Sequence, residues 1–424
     1  MSFPRYPAYK DSGVAWLGEV PGHWQMKRLK YLCDVQTGDK DTVNAVKDGL
    51  YPFFVRSQTV ERINSFTFDG EAVLTAGDGV GVGKVFHYVN GKFDFHQRVY
   101  MMSNFRFVNG QFFFQYLAVS FHRVALDGGA KSTVDSLRMP LFLNFEFAIP
   151  PKQEQEAILS FLDREIRKID ALVAEQKKLI ELLKEKRQAI ISHAVTKGLN
   201  PNAPMKDSGV EWLGEVPEHW AVCAIKRMTL LITDGAHISP ETEDGVYDFV
   251  STKDVSDAGI DFEGCLKTSA TSYEYLVRTG CRPMCGDLLF SKDGTIGRTI
   301  VVKELREFVV ASSLIIIRPN SATLSSTFLH YLCQSFAVVQ QVERFVKGAG
   351  LPRLSIQNLL KVFGVFPQLE EQIAIAAFLD RETRKLDALT SEAQRAIELL
   401  QERRTALISA AVTGKIDLRN IEHE

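Results

Sequence analysis

The sequence predicts an α+β protein in which two mixed α/β domains alternate with two long helices, the helices packing as an antiparallel coiled coil within a pseudo-two-fold repeat. Three observations carry that reading. KDSGVAWLGEVPGHW, from Lys10 to Trp24, returns as KDSGVEWLGEVPEHW from Lys206 to Trp220, with only Ala15/Glu211 and Gly22/Glu218 differing. IPPKQEQEAILSFLDREIRKIDAL from Ile149 returns as FPQLEEQIAIAAFLDRETRKLDAL from Phe366, and IELLKEKRQAIISHAVT from Ile180 as IELLQERRTALISAAVT from Ile397. Lastly, a heptad seam follows each copy.

Taken in order, residues 1–149 form the first domain, with the repeat block 10–24 at its front. Residues 150–200 form the first spacer helix, whose seam runs Leu162, Ile166, Ile169, Val173, Ile180, Leu183, Ile190 and Ala194, with Gln176 and Arg187 in the polar slots. Residues 201–366 are the second domain, opening on block 206–220, and residues 367–424 the second spacer helix and tail. Its seam reads Leu379, Leu386, Ala393, Ile397, Leu400, Leu407 and Ala411, so Arg187 and Arg404 hold equivalent places. Pro150, Pro151 and Pro367 punctuate the helix starts, and Gly198 with Pro201, or Gly414, the ends. Each helix should run roughly 40 residues, about 60 Å. A lone stripe of this kind would face water, so the two stripes should bury each other; a conventional helical bundle is the competing use.

The first repeat is offset by 196 residues, from Lys10 to Lys206, and the second by 217, from Ile149 to Phe366, so the second middle is 21 residues longer. Residues 25–148 and 221–365 resemble each other only faintly. Conserved ends around divergent middles suggest a shared frame carrying two different working surfaces. Within the middles, Tyr51 to Val55, Phe308 to Ile317 and Phe112 to Tyr116 read as short β-rich runs between Gly, Asp and Asn turns.

Composition narrows the function. Hydrophobic residues at 45% and charged residues at 24% are ordinary globular values. No signal-type or membrane-length apolar stretch is present, so the cytoplasm is the expected compartment, with six scattered cysteines reduced. Cys281, Cys285, His330 and Cys333 match no standard zinc spacing, and no metal site is expected. A net charge of -2 argues against a basic DNA-coating protein, and the middles carry 14 Lys/Arg against 12 Asp/Glu and 15 against 15. Any DNA contact must therefore come from local patches or from partners.

The cluster Gly77, Gly79, Gly81, Gly83 and Lys84 fails as a phosphate loop: Asp78 stands where the first Gly belongs and would repel phosphate, and Val85 where the hydroxyl belongs. Together with Asp293-Gly294 it reads as a hairpin or bulge turn. No nucleotide pocket or catalytic constellation is legible. Base reading needs a few aimed polar side chains, and the candidates lie where the middles align but differ: Arg56, Ser57 and Gln58 against Ser251, Thr252 and Lys253. Lys40, His237, Ser239, Lys84, Arg298, Lys131 and Arg353 complete the DNA-binding set.

The repeat KDSGVEWLGEVPEHW, the Pro-x-x-x-Glu-Gln helix start from Pro367 to Gln372, its counterpart from Pro150 to Gln155, FLDRE at Phe161 and Phe378, and AVTGKIDLR at Ala411 resemble type I restriction-modification specificity subunits, over the whole chain. The resemblance implies two target-recognition domains reading a bipartite, asymmetric double-stranded DNA site. It also implies two methyltransferase and two restriction subunits as partners, which carry S-adenosylmethionine, ATP and magnesium, with no cofactor or catalysis in this chain. Alternatives are a coiled-coil protein-binding scaffold without DNA readout, and a stand-alone methyltransferase or nuclease.

Overall fold

The computed structural model describes residues 3–125, 136–242, 245–256, 259–346 and 352–420. The chain divides into two units, Met1–Lys177 with Arg395–Glu424, and Lys178–Gln394.

In the first unit the repeat block forms an antiparallel hairpin of β1 (Tyr9–Asp11) and β2 (Glu19–Pro21). β3 (Gln25–Arg28) pairs antiparallel with β10 (Glu146–Ile149), so the divergent middle leaves and returns at one place. Between them lie β4 (Asp34–Thr37), β5 (Tyr51–Phe54), β6 (Glu61–Ile63), β7 (Phe68–Ala76), β8 (Phe86–Phe95) and β9 (Val99–Ser103), in the sheet order β4-β9-β7-β8-β5-β6. The β7–β8 ribbon changes direction where Gly70 pairs with Gly91, at φ 152° and 135°, a backbone region that a side chain disfavours. Beyond that bend Phe93 and Phe95 pack with Leu74, Val99 and Met101.

Three helices follow: α1 (Gly110–Ser120), α2 (His122–Ala125) and α3 (Met139–Leu143). The expected β run Phe112 to Tyr116 is therefore helical. Asn109 caps Gln111 N–H at 2.8 Å, and Phe112, Phe113, Tyr116 and Leu117, spaced for one helical face, are all buried. Burial at helical spacing outweighs the β preference of aromatic side chains.

The second unit repeats this plan. β11 (Met205–Asp207) and β12 (Glu215–Pro217) form the hairpin, and β13 (Ala221–Ala224) pairs with β23 (Phe363–Phe366). β14 (Thr229–Asp234), β15 (Tyr247–Val250), β16 (Val255–Ser256), β17 (Gly259–Ile260), β18 (Leu266–Thr268), α5 (Ala270–Arg278), β19 (Leu288–Ser291), β20 (Thr299–Val301), β21 (Phe308–Val310) and β22 (Leu314–Pro319) come next. They make two sheets, β14-β22-β19-β20 and β18-β15-β21. The order matches the first unit, with the ten-residue β8 replaced by β20 and β21; the run Phe308 to Ile317 is likewise two strands around a turn. Hairpin β16–β17 and α5 occupy connections that are short turns in the first unit, which accounts for the longer second middle. α6 (Ser326–Gln334), α7 (Phe336–Phe345) and α8 (Ile356–Leu359) pack beside the sheet.

The long helices are α4 (Lys152–Lys197) and α9 (Leu369–Val412), of 46 and 44 residues, and each contributes to both units. In the first unit Glu154, near the start of α4, lies against Trp24, which in turn faces Gly414 beyond the end of α9, while Asp170 pairs with Arg404 at 3.3 Å. The two segments thus run antiparallel. The second unit shows the same order: Gly198 faces Trp220 and Glu371, and Arg187 pairs with Asp387 at 3.2 Å. Leu162, Ile169, Ile180, Leu183, Leu379, Leu386 and Ile397 are buried, and Leu400 packs partly buried on the first core.

The repeated motifs meet at the helix starts. Glu154 accepts hydrogen bonds from the Tyr6 hydroxyl (2.5 Å) and Trp24 Nε1 (3.0 Å), with His23 Nε2 at 2.7 Å. Gln155 Nε2 donates to the carbonyls of Phe107 and Pro150, and its Oε1 accepts from Asn109 N–H. Glu371 takes His219 and Trp220, and Gln372 bonds Thr323, Pro367 and Ser325 in the same pattern. Each Glu-Gln pair ties a helix start to its block and to the returning middle, which explains why these residues are written twice.

Candidate nucleic-acid interface

Because the β7–β8 ribbon bends, the loops after β4, β5 and β7 and the turn from β8 to β9 converge. His96 N–H donates to Phe54 O (2.9 Å), Gln97 N–H to Lys40 O (2.8 Å) and Gly77 N–H to Arg98 O (2.8 Å). At the centre lies Asp78, whose two carboxylate oxygens accept from separate guanidinium groups, Arg56 Nη1 at 2.8 Å and Arg98 Nη1 at 2.6 Å. Partial burial pushes the Asp78 carboxyl upward, but the hydrogen bonds and charges of Arg98 and Arg56 outweigh it and hold the group below the usual carboxylate range. A Cβ on Gly81 would lie 2.6 Å from Arg56 O, so the glycine lets the 77–85 loop press against the Arg56 backbone. Gln58 Nε2 donates to Lys84 O at 3.0 Å, and Ser57 O is bonded by His87 Nε2.

In the second unit Ala311 N–H donates to Val250 O, Ser312 N–H to Ala236 O and Lys292 N–H to Ser313 O. These bonds match Ala311 to His96, Ser313 to Arg98, Lys292 to Gly77 and Asp293 to Asp78. They also correct the sequence alignment by one residue. Phe54 and Val250 hold the same register against their neighbouring parallel strands, so Arg56 corresponds to Thr252 and Ser57 to Lys253. The shared Phe-Val pair had drawn the sequences out of register. Side chains agree, since Thr252 Oγ1 donates to Asp293 at 3.4 Å as Arg56 does to Asp78. Likewise Phe86 pairs with Thr75 and Thr299 with Phe290, so Arg298 matches Val85 rather than Lys84.

The acid is kept while its surroundings change. Asp293 faces Arg353 Nε at 3.7 Å, and Arg353 stands where the first unit has Ser136. Lys292, nearly buried, bonds Asp234 at 2.5 Å, and His237 bonds the other oxygen at 3.0 Å. Ser251 Oγ (2.7 Å) and its own N–H (2.8 Å) both donate to Asp254 Oδ2, forming a small cap.

Of the residues expected from sequence, Arg56 binds Asp78, Ser57 turns its hydroxyl to Thr59 O, Gln58 bonds the Lys84 backbone, and Lys40 lies on the His96 bridge, paired to Asp39 at 3.1 Å. Thr252, Arg353 and Ser251 gather around or beside Asp293. Lys253 and Ser239 are exposed on neighbouring loops, and Arg298 turns its Nη1 to Val255 O at 2.9 Å. Lys131 lies outside the described residues. Sequence reasoning missed Arg98, Asp234 and Lys292; the aligned Asp-Gly steps at 78 and 293 were the available signal for the two centres. Cys281 and Cys333 are buried in separate apolar clusters, and among the described residues no group of three His, Cys, Asp or Glu is placed to hold a metal ion. Nor is any described helix long and apolar enough to cross a membrane.

Two domains of one topology, each closing on a long helix and each carrying its own polar loop cluster, define a duplicated recognition protein. The chain belongs to the family described as type I restriction modification DNA specificity domain, which it matches over residues 21–182 and 217–399. It is 30% identical over 178 residues to the type I restriction enzyme EcoDI specificity subunit of Escherichia coli, a match covering 42% of this chain and 39% of that relative. It is 24% identical to the MjaVIII specificity subunit of Methanocaldococcus jannaschii across 95% of both chains. A solved structure concerning complex assembly and conformational transition of the type I R-M system shares the fold, with a TM-score of 0.66 and 16% identity, covering 93% of this chain and 98% of that one.

Proposed function

We propose that this chain is the sequence reader of a type I restriction-modification complex, binding a bipartite, asymmetric double-stranded DNA site with one half-site per recognition domain. The observation that carries this reading is the pair of loop clusters: one framework and one central acid in each, but Arg56 and Arg98 around Asp78 against Thr252 and Arg353 around Asp293. A shared backbone hydrogen-bond framework with different donors suits two different base sequences, because base edges are told apart by donor and acceptor patterns. The DNA-binding residues proposed from sequence remain candidates.

In this reading the chain supplies recognition and no catalytic group. Two methyltransferase subunits with S-adenosylmethionine, and two restriction subunits with ATP and magnesium, dock on it and do the chemistry. The long helices, each passing through both units, set the number of unread base pairs between half-sites.

Co-expression with a type I methyltransferase subunit, followed by methylation-sensitive sequencing of host DNA, tests the proposal. Adenine methylation at a single bipartite asymmetric motif, with one half altered when residues 25–148 are exchanged and the other when residues 221–365 are exchanged, is the expected result. A stable complex that methylates no defined motif overturns it in favour of a protein-binding scaffold.

A further inference from the structure

The Arg56–Asp78–Arg98 cluster allows a statement about what the first half-site contains. Each guanidinium spends one N–H on Asp78, through Nη1, although an arginine carries five donors. Side-chain exposure is 41% for Arg56 and 58% for Arg98 but only 15% for Asp78, so the carboxylate sits behind two forks that remain open to an incoming partner.

Asp78 cancels one of the two positive charges, which weakens the pull of the cluster on a phosphate. A neutral base edge loses nothing by that cancellation. Guanine presents O6 and N7 side by side in the major groove, the pair of acceptors that an arginine fork matches bidentately. Fixing two forks on one acid also removes part of the ordering loss on binding. The equivalent place in the second unit has Ser313 for Arg98 and Thr252 for Arg56, and no such pair.

Resting on the proposed DNA-reading role, we propose that Arg56 and Arg98 are specificity-determining residues of the first domain, each reading a guanine, and that the first half-site therefore contains at least two G·C pairs.

The test is motif sequencing of host DNA methylated by the full chain with its methyltransferase subunit, for wild type, Arg56→Ala, Arg98→Ala and Arg98→Lys. Exchange of residues 25–148 assigns which half belongs to the first domain. The expected result is a wild-type first half with two or more G·C pairs, each alanine variant losing about tenfold or more discrimination at one of them, with the second half unchanged. Arg98→Lys keeps the charge and can still donate to O6 and N7, so it should retain a weakened guanine preference that Arg98→Ala loses, which separates reading from folding. A first half without G·C pairs, or variants that lower methylation evenly across all sites as lost phosphate contacts would, overturns the inference while leaving the bipartite role standing. Absence of any motif from the wild type removes the role itself.

Discussion

Glu154→Ala should loosen the first unit far more than Glu371→Ala loosens the second, although the two residues hold the same place in the repeat. Glu154 has 5% of its side chain exposed and accepts from Tyr6 and Trp24, themselves 4% and 0% exposed, besides meeting His23. Alanine there leaves a buried hydroxyl and a buried indole N–H with no acceptor. At about 1–3 kcal/mol for each orphaned donor, the loss is about 2–6 kcal/mol. Glu371 is 35% exposed and takes His219 and Trp220, the latter at 3.2 Å, so water can replace part of what alanine removes. About 1 kcal/mol is expected there. Two units need not unfold as one, so the readout is hydrogen exchange on the full chain, comparing the amides of β3 and β10 with those of β13 and β23. Equal loss of protection in the two variants, or none from Glu154→Ala, would refute the idea that the buried carboxylate organises the helix start.

Two further outcomes are expected. Asp417 N–H donates to Pro4 O at 2.8 Å, and Lys415 Nζ reaches the carbonyls of Leu17 and Glu19, much as Lys197 reaches Glu215. A chain reopened between Gly198 and Pro204, and closed by a short flexible linker from Asn420 to Phe3, should therefore fold and direct methylation to the wild-type motif; a changed motif would show that residues 199–203 do more than connect. Gly91→Val should destabilise by about 1–3 kcal/mol through φ alone, because a Cβ there would meet nothing within 4 Å. Urea unfolding checks this, and an unchanged midpoint would mean the ribbon bends without needing the glycine.

The helices and the repeat were legible because their signals are periodic or duplicated: heptads need no tertiary knowledge, and the punctuation at Pro150, Pro367, Gly198 and Gly414 agrees with the helix limits found. Phe112 to Tyr116 misled because four aromatic residues within five positions satisfy a strand pattern as well as a buried helix, and only the cap at Asn109 and the neighbouring sheet decide. The candidate site was half legible. Arg56 stood out beside an aligned segment, but Arg98 joins it only because Gly70 and Gly91 fold the ribbon back, a long-range event that no local window contains. The one-residue slip at Phe54 has a similar origin: identity of letters favours Phe249, whereas hydrogen bonds to a strand some forty to sixty residues away favour Val250.

The first unit takes part of its core from late in the chain: Leu407, Ile408, Ala411 and Val412 pack with Ile158, Leu162 and Trp24. Its folding unit is consequently discontinuous, while residues 178–394 form a contiguous one. During synthesis the usual N-terminal-first order should invert, with the second reader closing on its own helix segments before the first can. The growing chain then carries an unsealed apolar face until residues 395–420 leave the ribosome, so a transcript that stops early yields a protein with one finished reader and one open to chaperones and proteases.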